Sequence, residues 1–82
     1  IKVFPLAQKM AEEGNPASVS DAGVGALAAR AAVRGACLNV KINAAGLKNR
    51  ALADELVARA EAITAEAERL EADVIKTVES KI

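Results

Sequence analysis

The sequence predicts an all-α fold, a multihelical bundle with a buried central helix that is completed by a partner chain or a missing segment. Three observations point there. Alanine dominates a chain whose one aromatic residue is Phe4, and alanine is the best helix former and a poor core filler. Glycine, proline and asparagine cut the chain into three long segments at positions suited to helix ends. The middle segment is apolar on more than one side, whereas an ordinary surface helix carries a single apolar stripe.

The first segment runs from about Pro5 to Glu13, with proline tolerated in the first helical turn. Val3, Leu6 and Met10 can share one face, as in the tail of a helix begun earlier. Gly14-Asn15-Pro16 stops it, glycine supplying a left-handed cap and proline refusing to continue. The second segment opens at Ser18-Val19-Ser20-Asp21, where Ser18 and Asp21 have the spacing of a capping box. It is read as one helix from about Val19 to Ala45, roughly 40 Å long, closed by Gly46. Gly23, Gly25 and Gly35 each cost about 1 kcal/mol relative to alanine in an exposed helix, so another backbone is expected close by. The third segment follows the N-cap Asn49, from about Arg50 to Ser80. Leu56, Ala60, Ile63, Ala67, Leu70 and Val74 recur at alternating spacings of four and three, the rhythm of a helix packed lengthwise on another. Glu55 and Arg59 have the spacing of an i,i+4 ion pair, and the remaining charges fall on a solvated face.

Rotating the second helix by about 100° per residue shows how unusual it is. Asp21, Asn39 and Asn43 share a stripe within about 40°, and between them stand only small residues, among them Gly25, Ala28, Ala32 and Gly35. Arg30, Arg34 and Lys41 lie roughly opposite, and Val24, Leu27, Val33, Leu38, Val40 and Ile42 occupy the flanks. Such a helix needs cover on most of its circumference. The polar stripe can be structural, Asp21 capping its helix and the asparagines satisfying a neighbour's backbone. The sharper reading is a small-walled groove for a flat ligand, with polar groups at its ends. The basic row is a solvent face or a partner for an anionic ligand tail.

The totals bound the function. Eighty-two residues allow one domain, 1–82, with a thin core, and no staple is available, since there is one cysteine and no histidine. Oligomerisation or the rest of a longer polypeptide is the expected source of the missing burial, and an opening Ile1 fits a fragment. Net charge is zero, six basic and three acidic residues falling before residue 50 and five basic and eight acidic after. So mild an asymmetry, with no aromatics to stack on bases, argues against nucleic acid. Arg30, Arg34 and Lys41 interrupt the longest apolar stretch, so no membrane span is expected. Cys37 reads as a small buried hydrophobe, and a lone cysteine fits the reducing cytoplasm.

Gly14-Asn15-Pro16, Ser20-Asp21-Ala22-Gly23-Val24 and the run from Gly35 to Asn43, GACLNVKIN, closely resemble the C-terminal part of the folate-processing cyclodeaminase/cyclohydrolase family. Formimidoyltetrahydrofolate cyclodeaminase and methenyltetrahydrofolate cyclohydrolase belong to it. The resemblance covers about residues 12–80. The Pro-Gly-Gly-Gly-Ser segment and Ala-rich helix of the family's N-terminal half are absent from this sequence. The resemblance implies a dimeric helical bundle of which this chain supplies the central and final helices. It implies a tetrahydrofolate derivative as substrate, with no tightly bound cofactor and no metal. Asp21 is then the candidate general base or cation-stabilising carboxylate, and Asn39 and Asn43 are candidate pterin-orienting groups. Arg30, Arg34 and Lys41 are candidates to meet the anionic glutamate tail. The alternative is a non-enzymatic helical oligomerisation module with the same fold; an unrelated coiled-coil adaptor would leave the glycines and asparagines of the middle helix unexplained.

Overall fold

Three helices form where the punctuation puts them. A computed structural model describes residues 2–82, with α1 at Val3–Glu12, α2 at Pro16–Ala45 and α3 at Arg50–Ser80. Among the described residues there is no strand. The two long helices form an antiparallel hairpin: Gly23 lies against Val78, Arg30 against Glu68, and Lys41 against Glu61. The short α1 lies in the groove between them at the end furthest from the hairpin turn. The resulting body is a rod of 51 × 16 × 14 Å.

The helix ends differ from the sequence expectation at one point. Helix α2 starts at Pro16, not near Val19, and its N-cap is Asn15, not Ser18. The Asn15 carboxamide oxygen accepts from the backbone N–H groups of Ala17 (2.9 Å) and Ser18 (3.4 Å). Pro16 takes the first helical position, where its fixed φ suits the helix and its missing N–H is not needed. Gly14-Asn15-Pro16 therefore ends one helix and begins the next, and Gly14 makes the reversal at φ 75°. Asn49 caps α3 as expected, accepting from the Leu52 N–H at 3.1 Å. The turn before it is held by Arg50, whose guanidinium donates to the carbonyls of Leu47 (2.7 Å), Ala44 (3.2 Å) and Ala45 (3.4 Å). A cation there satisfies the orphan carbonyls at the end of α2 and complements its dipole.

The core is small and mostly alanine. Phe4, Ala7 and Ala11 from α1 meet Ala22 and Ala26 of α2 and Ala67 and Val74 of α3. Phe4, spaced with Ala7 and Ala11, gives α1 its buried face, while Val3 and Leu6 stay exposed. The α3 seam packs as its spacing predicts at Ala67, Leu70 and Val74, but Ile63 is 51% exposed because α1 does not reach it.

Removing the Asn15 cap with Asn15→Ala, or the Asn49 cap with Asn49→Ala, is expected to destabilise the chain by about 0.5–2 kcal/mol each. Ser18→Ala should fall within about 0.5 kcal/mol of the parent. Urea unfolding followed by circular dichroism distinguishes the two caps from the residue that has only the spacing of one.

Candidate functional site

Asp21 lies inside α2, in its second turn, five residues beyond Pro16. The capping duty belongs to Asn15, and Asp21 is exposed with no side-chain hydrogen bond or ion pair among the described residues. The dipole's help to a carboxylate falls off within the first turn, so the helix end gives Asp21 little. Asn39 and Asn43 are likewise exposed, and their carboxamides find no partner among the described residues. Helix α2 is continuous from Pro16 to Ala45. Asp21 therefore stands roughly 27 Å from Asn39 and 33 Å from Asn43 along the axis. No bend brings them together within one chain.

The small stripe between them faces outward. A methyl group built on Gly25 or Gly35 would meet nothing within 4 Å, and one on Gly23 would touch only the Val78 side chain, at 3.6 Å. The close backbone approach expected at all three glycines is thus absent inside this chain. Val24, Leu27, Leu38 and Ile42, on the same outer half of α2, are 54–65% exposed. Helix α2 consequently has one side seated on α1 and α3 and a second, apolar and small, side that neither covers.

The basic row behaves differently. Arg30 pairs with Glu68 (3.0 Å) and Glu71 (3.5 Å), and Lys41 with Glu61 (3.2 Å). Three acids of α3 thus face α2 instead of forming a purely solvated surface, while Glu55 and Arg59 make no ion pair with each other. These partly exposed pairs fix the register of the hairpin more than its stability, at roughly 0–1 kcal/mol each. Arg34 has no ion-pair partner among the described residues. Arg34 and Lys41 line one shallow groove of about 540 Å³ with Gly35, Leu38, Thr64 and Glu68. The asparagines point well away from that groove around the helix. Sequence pattern alone missed Thr64 and Glu68, because nothing in α3's own periodicity says which α2 residue each will face.

The candidate residues therefore fall into three groups: Asp21 near one end of α2, the two asparagines near the other, and Arg34 with Lys41 beside α3. Cys37 is a buried free thiol, in keeping with a hydrophobic role. Among the described residues no group of side chains is placed to hold a metal ion, and no helix is long and apolar enough to cross a membrane.

The sequence matches known proteins over most of its length. The family described as formiminotransferase-cyclodeaminase matches residues 1–62. The methenyltetrahydrofolate cyclohydrolase of Methylorubrum extorquens strain AM1 is 46% identical over 81 residues, which is 99% of this chain and 39% of that relative. The chain thus spans well under half the length of the relative it matches. No solved structure matches it. With its three helices, its Ser-Asp element and its GACLNVKIN run all inside the matched stretches, the chain belongs to the formiminotransferase-cyclodeaminase family.

Proposed function

We propose that this chain is the bundle-forming part of a folate-dependent cyclohydrolase, with the outer side of α2 as one wall of the substrate site. The observation that supports this best is the outer stripe itself: three polar side chains without partners on a floor of small residues, in a chain 46% identical to a methenyltetrahydrofolate cyclohydrolase. A flat pterin needs a small-walled floor and a few fixed polar groups. In the reaction, the oxygen of water bonds to the cationic methenyl carbon and one of that carbon's two C–N bonds breaks. A proton is released and a formyl group is left on one nitrogen. In this reading Asp21 stabilises the cation or takes the proton from the attacking water. Asn39 and Asn43, a helix length away, orient the ligand in a second polar cluster completed by another chain or segment. A homodimer is the simplest arrangement that brings two such clusters together. Cyclodeamination, in which a folate nitrogen closes on a formimino carbon and ammonia leaves, uses the same groups, and the family match favours it as the second reading.

In a complete family member such as the M. extorquens cyclohydrolase, the equivalents of Asp21→Asn and Asn43→Ala are assayed for methenyltetrahydrofolate hydrolysis and formimino-group deamination. Loss of a general base typically removes about 10²–10⁴-fold of rate, and Asp21→Asn is expected to fall in that range in one assay. Full turnover in both assays by a folded Asp21→Asn enzyme rules out the catalytic role.

The outer stripe makes two further predictions. In the 82-residue chain, where Gly35 faces open space, Gly35→Ala should stabilise the helix by about 0.5–1 kcal/mol, read from thermal melts. In the complete enzyme, Gly35→Leu should instead destabilise by about 1–3 kcal/mol, because the stripe is then covered. Analytical ultracentrifugation of the 82-residue chain should show self-association at micromolar concentration. A strictly monomeric, stable chain would mean that a segment of the longer polypeptide, not a second copy, supplies the cover.

A further inference from the structure

The groove that seats α1 does not end where α1 ends. Helix α1 has ten residues against 30 and 31 in the two helices beneath it. Its course is fixed by three contacts: Gly14 opposite Lys81, Gln8 bonded to Thr77 at 2.6 Å, and Phe4 beside Leu70 and Val74. Its N-terminal end therefore points along the hairpin toward the α2–α3 turn. In that direction the groove continues, open, for about 430 Å³ between Val33, Cys37 and Val40 of α2 and Leu56, Ala60 and Ile63 of α3. Val33 belongs to both halves, packing against the core under α1 and lining the open part. The lining is apolar apart from Arg59.

A second observation concerns α1 itself. Helices α2 and α3 each begin at an extended asparagine whose side chain caps the first turn. Helix α1 has no such start. Lys2 is already helical, at φ −61° and ψ −25°, and caps nothing. Its backbone conformation is that of a residue inside a helix, and among the described residues no side chain caps the first N–H groups of α1. The relative, moreover, has more than twice this chain's length.

We propose that the open half of the groove seats a helical continuation of α1 in the N-terminal direction, carried in the same polypeptide. From Leu70 to Leu56 the groove runs fourteen residues of α3, roughly 20 Å, so about fourteen helical residues fill it. The continuation presents small and aliphatic residues at i, i+3, i+4 and i+7 to Val33, Cys37, Val40 and Ile63. It turns Ile63, now half exposed on the α3 seam, into a core residue. Nothing in this depends on folate chemistry.

The test compares two proteins: the 82-residue chain, and the same chain with about fourteen residues joined ahead of Ile1, taken from the stretch preceding the matched region of the M. extorquens cyclohydrolase. Ile63→Cys in a Cys37→Ala background reports occupancy through its reaction with a maleimide, because Ile63 lines the open groove and is half exposed there, whereas Cys37 is buried. The extension should slow labelling about tenfold or more, since access to the thiol then requires local opening. Ile63→Glu should leave the melting temperature of the short chain nearly unchanged and lower that of the extended chain by at least about 4–8 °C. Equal labelling rates, together with equal effects of Ile63→Glu in both chains, would overturn the proposal. Labelling of the short chain that slows as its concentration rises would also overturn it, because a second copy would then fill the groove.

Discussion

The fold rests on one constraint, the near absence of bulk along the inner side of α2. Val19, Ala22, Gly23, Ala26 and Cys37 are buried there, and the largest fully buried side chains in the chain, Phe4 and Val74, come from the other two helices. Small residues let α3 and α1 lie close to the α2 backbone, so one phenylalanine and a few alanines make a continuous core. The same constraint limits how much apolar surface is removed from water. A methyl group buries far less than a leucine, and at roughly 25 cal/mol per Å² an alanine core is thin. Leu27, Leu38 and Ile42, the leucines and the isoleucine of α2, are with Val24 on the other side, uncovered by this chain. The leucines and the isoleucine of α2 are thus left outside, the reverse of a self-sufficient domain.

Helix number and helix ends were almost wholly legible in the sequence because they depend on local chemistry. Asn49 before a run of good helix formers and Gly14-Asn15-Pro16 between two of them act through bonds a few residues long. The one error at an end, Ser18 for Asn15, shows two local rules in competition. A capping-box spacing and an Asx-Pro start stood three residues apart, and the proline decided, since at position 16 it can begin a helix but not stand deep within one. Arg50 holding the carbonyls of Ala44, Ala45 and Leu47 could have been suspected from a cation just past a helix end, though the turn that brings it back could not.

What the sequence could not show was which side of a two-sided helix this chain would cover itself. Periodicity places Val33 and Val40 on one flank of α2 and Leu38 and Ile42 on another with equal weight. The choice is made by α3, whose Glu61, Glu68 and Glu71 meet Lys41 and Arg30. Those pairs are individually weak but mutually consistent, and they turn the basic row inward along the edge of the hairpin. Arg30 and Lys41 are therefore committed within the fold, whereas Arg34, between them in sequence, is not. Pairing across two helices is a long-range fact, and a single helix's wheel does not contain it.

The outer stripe of α2 is the place where local energetics and the fold disagree. On the covered side the helix has alanine and valine, residues whose presence burial explains. On the open side it has Gly25, Gly35, Asp21, Asn39 and Asn43, each a poorer helix former than alanine, by roughly 0.5–1 kcal/mol per residue. Among the described residues nothing offsets that cost. Asp21 caps no helix, the asparagines bond no backbone, and the glycines admit no neighbour. Residues that weaken a helix and touch nothing are explained when something outside the chain needs them. On the proposed reading, a close-packed helix needs the glycines, and a polar ligand needs the aspartate and the asparagines. Both requirements fall on one stripe of one helix. Covering α2 and completing a folate site would then be the same event, with the wall of the site formed by the residues that leave the isolated chain incomplete.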